Sequence, residues 1–438
     1  QNGEIYNFVE LRSELEAKGE KFLSGTDTEV MLLSYKVWGR EAVHRWRGMF
    51  ACAIWDSGRR EVILMRDRLG VKPLYWTTWA EGAVLFSSEV RALLLSGLVD
   101  CRIDPDGVSS FLSGWAVRAP KTMIRNVRSL LPASCMSISM DGDVMSVPRY
   151  WDLARRDVES DEYSNAVIKA RSLLQDAVEA HLVSDVPVSV FLSGGVDSSA
   201  IVALASRVTA TPIKTFSVTF EDPAISEAAY SQEVAKKWQT EHSEIVLTDQ
   251  HIRALIEEAV ECLDQPSVDG INTFLVSQCA KRAGVKVALS GLGGDEVFGG
   301  YSTFRRVPLL AKLGNMLGRL PAGVRDAAGA LSGAIGGQAA KQRFGAFAAG
   351  KGDMLSSYLM LRMLFTPDQT AVLTGRSSAS VLESFAEDDQ SLRARIQGLD
   401  PFRQVSLLEM EMYMSNMLLR DTDVMSMANS LEVRVPLL

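Results

Sequence analysis

The chain has 438 residues, 47% hydrophobic and 23% charged, with 46 Lys plus Arg against 54 Asp plus Glu and a net charge of −8. That length exceeds one ordinary core, so two domains are expected; the mild acidity and the lack of a basic run argue against broad nucleic-acid binding. No apolar run reaches the roughly 18 residues of a membrane span, and five scattered cysteines (Cys52, Cys101, Cys135, Cys262, Cys279) without C-x-x-C spacing predict reduced, mostly buried thiols in a cytoplasmic protein.

In chain order, Asn2-Gly3 by itself reads as a turn. Apolar residues at helical spacing over 28–38 predict a helix, capped by Thr26 or Asp27. Strands are expected at 49–55 and 61–65, joined through Asp56-Ser57-Gly58, and at 84–88, with a helix from Glu89 to Ser96. This makes residues 1–150 an α+β domain. The charged stretch that follows, with Arg155-Arg156-Asp157 and Glu159-Ser160-Asp161-Glu162, marks a linker over 151–162.

From residue 163 to 438 the pattern changes. A helix is expected over 164–183, then strands at 187–192, 213–219, 243–247 and 285–290 with helices between them. Helix-separated strands predict a doubly wound parallel sheet, which takes ligands at the carboxyl ends of its strands. The Ala- and Gly-rich stretch from Pro321 to Lys351 suggests a loose helical excursion or a mobile segment, and helices resume near Met354.

Two of these strands run into chemically loaded loops. After Val188–Phe191 comes Leu192-Ser193-Gly194-Gly195-Val196-Asp197-Ser198-Ser199 and then a helical run. Adjacent glycines bring backbone N–H groups close to an anion, and the helix start aims its dipole at the same point. Hydroxyls at Ser193, Ser198 and Ser199 add donors, and Asp197 suits a magnesium ion on phosphates. No lysine stands where a Walker A loop needs one. The second loop, Ser290-Gly291-Leu292-Gly293-Gly294-Asp295-Glu296, follows the strand ending at Leu289. In a parallel sheet both loops open on one edge, where Asp295 would share the metal with Asp197.

The pattern Ser-Gly-Gly-x-Asp-Ser resembles the pyrophosphate loop of ATP pyrophosphatases. Further stretches resemble the glutamine-hydrolysing asparagine synthetases, in that family's order: Asn2-Gly3-Glu4-Ile5-Tyr6-Asn7, the run Arg66-Asp67-Arg68-Leu69-Gly70-Val71-Lys72-Pro73, Phe86-Ser87-Ser88-Glu89, and Asp423 through Pro436. The resemblance implies an N-terminal-nucleophile glutaminase domain with sandwiched antiparallel sheets, followed by an ATP pyrophosphatase domain. Its nucleophile is an N-terminal cysteine that would precede Gln1, so the sequence is expected to be a fragment lacking both ends of its parent. It further implies an oxyanion hole from the Asn2 side chain and the Gly3 N–H, and Glu4 and Asp27 on the glutamine α-amino group. Leu192, Val218 and Ser290-Gly291 would surround the adenosine of ATP, and Asp197 and Asp295 would hold Mg2+. Substrates would be glutamine, ATP and aspartate or another carboxylate, with a homodimer as a compatible assembly. Arg66, Arg68 and Lys72 read as structural ion-pair partners, and the four histidines match no motif.

Two positions depart from the family pattern. Leu292 stands where a Glu is usual and Val424 where Arg or Lys is usual, and both bear on the acceptor. Two alternatives therefore stay open: a same-fold ligase acting on another carboxylate, such as a β-lactam-synthetase-like cyclisation, and a catalytically silent regulatory relative. Glu296 and Glu432 are the candidate acids within the motifs to replace the missing one.

Overall fold

A computed structural model describes residues 1–154, 161–220, 228–318 and 353–438. In the first 150 residues, eight strands form: β1 (Asn2–Ile5), β2 (Gly48–Asp56), β3 (Glu61–Arg66), β4 (Tyr75–Thr78), β5 (Val84–Ser87), β6 (Arg128–Ser129), β7 (Cys135–Ser139) and β8 (Val144–Ser146). They make two antiparallel sheets, ordered β1-β2-β3-β7-β8 and β5-β4-β6. Strand alternation sends Phe50, Cys52, Ile54, Ile63 and Met65 into one core with helices Phe8–Ala17 and Asp27–Trp38. The intervening Ala51 and Leu64 face the other way, into a core with Leu74, Leu130 and Met136 that joins the two sheets. The far face of the small sheet packs Tyr75 against Val90 and Leu93 of helix Val90–Leu95.

Most local expectations hold within a residue or two. Thr26 is the cap of the second helix, accepting from the Glu29 N–H, and Asp27 is its first residue. The Asn2-Gly3 turn reading is corrected, because the pair lies in β1, in register with Ala51 and Phe50. Gly3 has φ +113°, and a Cβ there would stand 2.0 Å from the Met49 carbonyl oxygen, so glycine serves close strand approach.

The second half holds β9 (Val188–Phe191), β10 (Lys214–Phe220), β11 (Glu241–Leu247), β12 (Val287–Leu289) and β13 (Glu432–Arg434). All neighbours pair parallel, in the order β11-β10-β9-β12-β13. Val190 and Leu289 pack with Ile201 and Val202 of helix Val196–Val208 and with Val178 of helix Tyr163–His181. Phe216, Ala288 and Val433 pack instead with Ala280 of helix Gly270–Arg282. The strand β13 was not predicted; three residues are too few to show a period, and pairing to β12 creates it. Helices resume at Met354, and Pro401–Met427 runs through a π-helical stretch, Glu409–Leu418. Residues 155–160 of the expected linker and the stretch from Pro321 to Lys351 lie outside the described residues.

The two halves share buried polar contacts. Lys72 Nζ meets Asp423 Oδ1 at 2.7 Å, with both side chains almost fully buried. Asp264 accepts the N–H groups of Val90 and Arg91 at 2.8 Å each, capping the helix of the other half. The Ala119 N–H donates to Asn416 Oδ1 at 2.9 Å. Arg66 and Arg68 correct the ion-pair expectation. The buried Arg66 guanidinium donates to the carbonyls of Gly70, Lys72 and Leu130 and to Ser129 Oγ, while Arg68 donates to the His44 carbonyl. Among the described residues, only Lys72 of the three makes the expected ion pair. All five cysteines are free; Cys52, Cys135 and Cys279 are buried and Cys101 is exposed. Among the described residues no helix is long and apolar enough to cross a membrane.

Candidate active site

Numbered within the second half, the parallel sheet has the order 3-2-1-4-5, so its topological switch lies between β9 and β12. Crossover connections leave those two strands in opposite directions, which opens a crevice at their carboxyl ends. Both glycine-rich loops sit there. A cavity of about 770 Å³ is lined by Ser193, Gly195, Asp197 and Ser198 of the first loop and by Ser290, Gly291, Leu292, Gly293, Gly294, Asp295 and Glu296 of the second.

Within the first loop the serines hold the turn. Ser193 Oγ lies 3.0 Å from Ser198 Oγ and accepts the Gly195 N–H at 3.2 Å. Gly194 has φ +85°, and a Cβ there would meet Tyr230 Cβ at 2.6 Å. Helix Val196–Val208 starts at Gly195 with no side-chain cap, so its first N–H groups face the cavity unblocked.

The second loop is shaped around the acid of the first. A Cβ on Gly294 would stand 2.3 Å from Asp197 Cγ, and one on Gly291 would stand 3.1 Å from Asp197 Cβ. Burial, and next the charge of Asp295, raise the Asp197 carboxyl above its ordinary value. Among the described residues neither Asp197 nor Asp295 has an ion-pair partner within reach. Two carboxylates on the wall of one cavity are a hard-oxygen pair, although no third His, Cys, Asp or Glu joins them among the described residues.

Not every predicted residue reaches the cavity. The Leu192 side chain is buried among Val190, Ile201 and Leu289, and Val218 packs in the cluster of Leu247 and Phe274. Neither side chain lines the crevice. Val424 is buried beside Phe274, Leu275 and Met425, so that departure from the family pattern fills a core and not the pocket. Leu292 does line the cavity. Of the two acids considered as its replacement, Glu296 shares the cavity, while Glu432 binds Arg434 Nε at 2.6 Å elsewhere. Glu296 accepts from Tyr301 at 2.9 Å, and burial pushes its carboxyl up to about 7.

Sequence reasoning missed the polar residues Asp269, Asn272, Thr273 and Thr422, which also line the wall. Asp269-Gly270 just before a helical run was the available signal. Thr422 adjoins the late motif but carried no chemistry of its own.

In the first half, Asn2 Nδ2 donates to Ser88 Oγ at 3.1 Å, bringing two of the family-like stretches together. Asp27 Oδ2 accepts the Ile5 N–H at 2.9 Å and Gln1 Nε2 at 2.7 Å. Burial, then the charges of Glu432 and Asp27, push the Glu4 carboxyl up to about 7. Asn2, Gly3 and Glu4 thus lie along β1, and Asp27 is tied to that strand through the Ile5 N–H.

A crevice at the switch point of a parallel sheet, joined through buried contacts to an antiparallel α+β half, makes this a two-domain protein with a ligand-sized cleft in its second half. The comparisons give the family: the asparagine synthase model matches residues 169–438 and the glutamine amidotransferase domain model matches residues 1–151. The chain belongs to the asparagine synthase family. It is 33% identical to asparagine synthetase [glutamine-hydrolyzing] 1 of Bacillus subtilis over its whole length, covering 67% of that relative. Asparagine synthetase [glutamine-hydrolyzing] 3 of the same organism is 37% identical over 69% of this chain and 51% of its own length. A protein named amidase chyE from Penicillium rubens is 29% identical over 69% of the chain and 47% of its own length. The chain therefore spans between about half and two-thirds of these relatives.

Proposed function

We propose that the protein is an ATP-dependent amidotransferase that adenylates a carboxylate, most simply the aspartate side chain, and converts it to an amide with glutamine nitrogen. The observation that carries this reading is the meeting of two glycine-rich loops at one switch point, with Asp197 seated against Gly291 and Gly294. The relatives named as glutamine-hydrolysing asparagine synthetases support L-asparagine as product, with AMP and pyrophosphate released.

In this reading residues 1–150 are an N-terminal-nucleophile-type glutaminase with sandwiched antiparallel sheets, 151–162 a linker, and 163–438 a doubly wound ATP pyrophosphatase domain. Asn2 and Gly3 donate to the oxyanion that forms on the glutamine amide. Glu4 and Asp27 take its α-ammonium. The backbone of Gly194 and Gly195, with the hydroxyls of Ser193 and Ser198, receives the ATP phosphates, while Leu192, Val218 and the Ser290-Gly291 backbone border the adenosine. The acceptor carboxylate oxygen bonds to the α-phosphorus as the bond to pyrophosphate breaks; ammonia then displaces AMP from the acyl carbon. Asp197 and Asp295, both on the cavity wall, fit Mg2+ as a pair of hard oxygen ligands that phosphate oxygens and water would complete. When bound, that ion would neutralise charge on the departing pyrophosphate. The cytoplasm and a homodimer are the proposed setting and assembly.

A second reading, amidation or ligation of a different carboxylate, is favoured by one observation: an apolar Leu292 in the cavity wall. A silent relative is disfavoured, because it has no use for two facing acids. The test supplies ATP, Mg2+, ammonia and labelled aspartate and compares the unmodified protein with Leu292→Glu. Asparagine formation with AMP, unimproved by the substitution, establishes aspartate as acceptor. A gain of about tenfold or more, equivalent to about 1.4 kcal/mol of barrier, favours another carboxylate. Production of ADP refutes the pyrophosphate-loop reading.

A further inference from the structure

We propose that Arg434, on the edge strand of the synthetase sheet, is a positioning residue of the glutamine pocket: reaching across the domain boundary, it holds Glu4 in place for the α-ammonium of glutamine. The inference rests on the glutamine-pocket reading of Glu4 and Asp27. It goes beyond that reading by giving the pocket a wall from the other domain.

The geometry of the guanidinium is directional. Arg434 is buried, and its Nη1 donates to the carbonyls of His181 and Val183 at 2.7 Å each. Its Nε donates to Glu432 at 2.6 Å. Those bonds fix the plane and turn Nη2 toward Glu4 Oε1, 4.0 Å away. The Tyr6 ring lies 5.5 Å from the guanidinium carbon and stacks on His181 at 3.9 Å, closing the other side. An arginine held at three points loses little freedom when it meets a carboxylate.

The charges around Glu4 need such a cation. Two carboxylates face it, Glu432 and Asp27, and two cations, Arg434 and Lys72. Lys72 is already committed to Asp423. Glu4 must be ionised to hold an ammonium, and its carboxyl stands near 7, so small changes in this ring of charges move it within the working range. The strand that carries Arg434 pairs with β12, whose end is the Ser290-Gly291 loop of the nucleotide crevice, so the pocket of one domain is built on the sheet of the other.

The test measures glutamine binding to the full chain by calorimetry from pH 6 to 9. For the unmodified chain, affinity should rise through about pH 7 and level off. Arg434→Met should move that rising limb to higher pH and weaken binding several-fold at pH 7, with Arg434→Lys restoring most of it. Glu432→Gln, which keeps an acceptor for Nε but removes a facing negative charge, should move the limb to lower pH. Opposite movements cannot come from general loosening of β13, and Arg434→Gln, which keeps amide donors for the His181 and Val183 carbonyls but no charge, takes the place of Arg434→Met if that variant fails to fold. A limb that stays in place in Glu432→Gln, or that moves the same way in both variants, overturns the proposal. No glutamine binding by the unmodified chain at any pH overturns the pocket reading beneath it.

Discussion

Replacing Gly294 by alanine isolates the contact on which the nucleotide site depends. Gly294 is the first residue of helix Gly294–Phe298 and is not among the positions of positive φ, so alanine suits its backbone. The cost is purely steric. The new methyl would stand 2.3 Å from Asp197 Cγ and 2.4 and 2.5 Å from its carboxylate oxygens. Ordinary carbon–carbon contact begins near 3.5 Å, so the carboxylate must retreat by about 1 Å. A displacement of about 1 Å at a reacting centre is worth about a hundredfold, or roughly 2.7 kcal/mol. The rate of AMP formation from Mg-ATP should therefore fall by about two orders of magnitude, with the thermal midpoint nearly unchanged. Gly25→Ala is the control, since nothing lies within 4 Å of a Cβ there. Gly294→Ala that forms AMP within twofold of the parent rate would show that Asp197 does not touch the reacting nucleotide complex.

Three other outcomes are expected. Lys72→Met leaves Asp423 buried without its partner and should cost about 3–5 kcal/mol in urea unfolding, partly recovered by adding Asp423→Asn; a loss below about 1 kcal/mol would mean that the domain boundary does not depend on this pair. Glu296 is raised from 4.5 to about 7 by burial first. Between those values the folded state holds a proton that the unfolded state has released, so this group lowers stability as pH rises through the window. Glu296→Gln, which can still accept from Tyr301, should flatten that part of the midpoint-versus-pH curve, and superimposable curves would contradict the assignment. Finally, ATP binding should strengthen at least tenfold on adding Mg2+, and Asp197→Asn should lose most of that increment; an undiminished increment would place the metal elsewhere.

The sequence by itself determined what local chemistry can encode. A β-branched run ending in Ser193-Gly194-Gly195 and continuing into an amphipathic helix states its own geometry, because strand, turn and helix preferences all lie within a dozen residues. The same holds for Ser290 through Glu296, and for the Thr26 cap, whose partner is three residues away. The family-like stretches added the roles. Tertiary structure alone decided the rest, since contacts between residues far apart in sequence leave no periodic signal. It put the Asp197 carboxylate into the space left by Gly294, brought Asp269 and Thr422 to the cavity wall, and turned Val424 into a core while leaving Leu292 exposed to the crevice. It also made a strand of Glu432–Arg434, whose three residues have no helical or strand pattern to read until β12 supplies their hydrogen bonds. Pairing at one end of the chain with a strand near its middle is what carries Arg434 to Glu4, and only the folded sheet contains that distance.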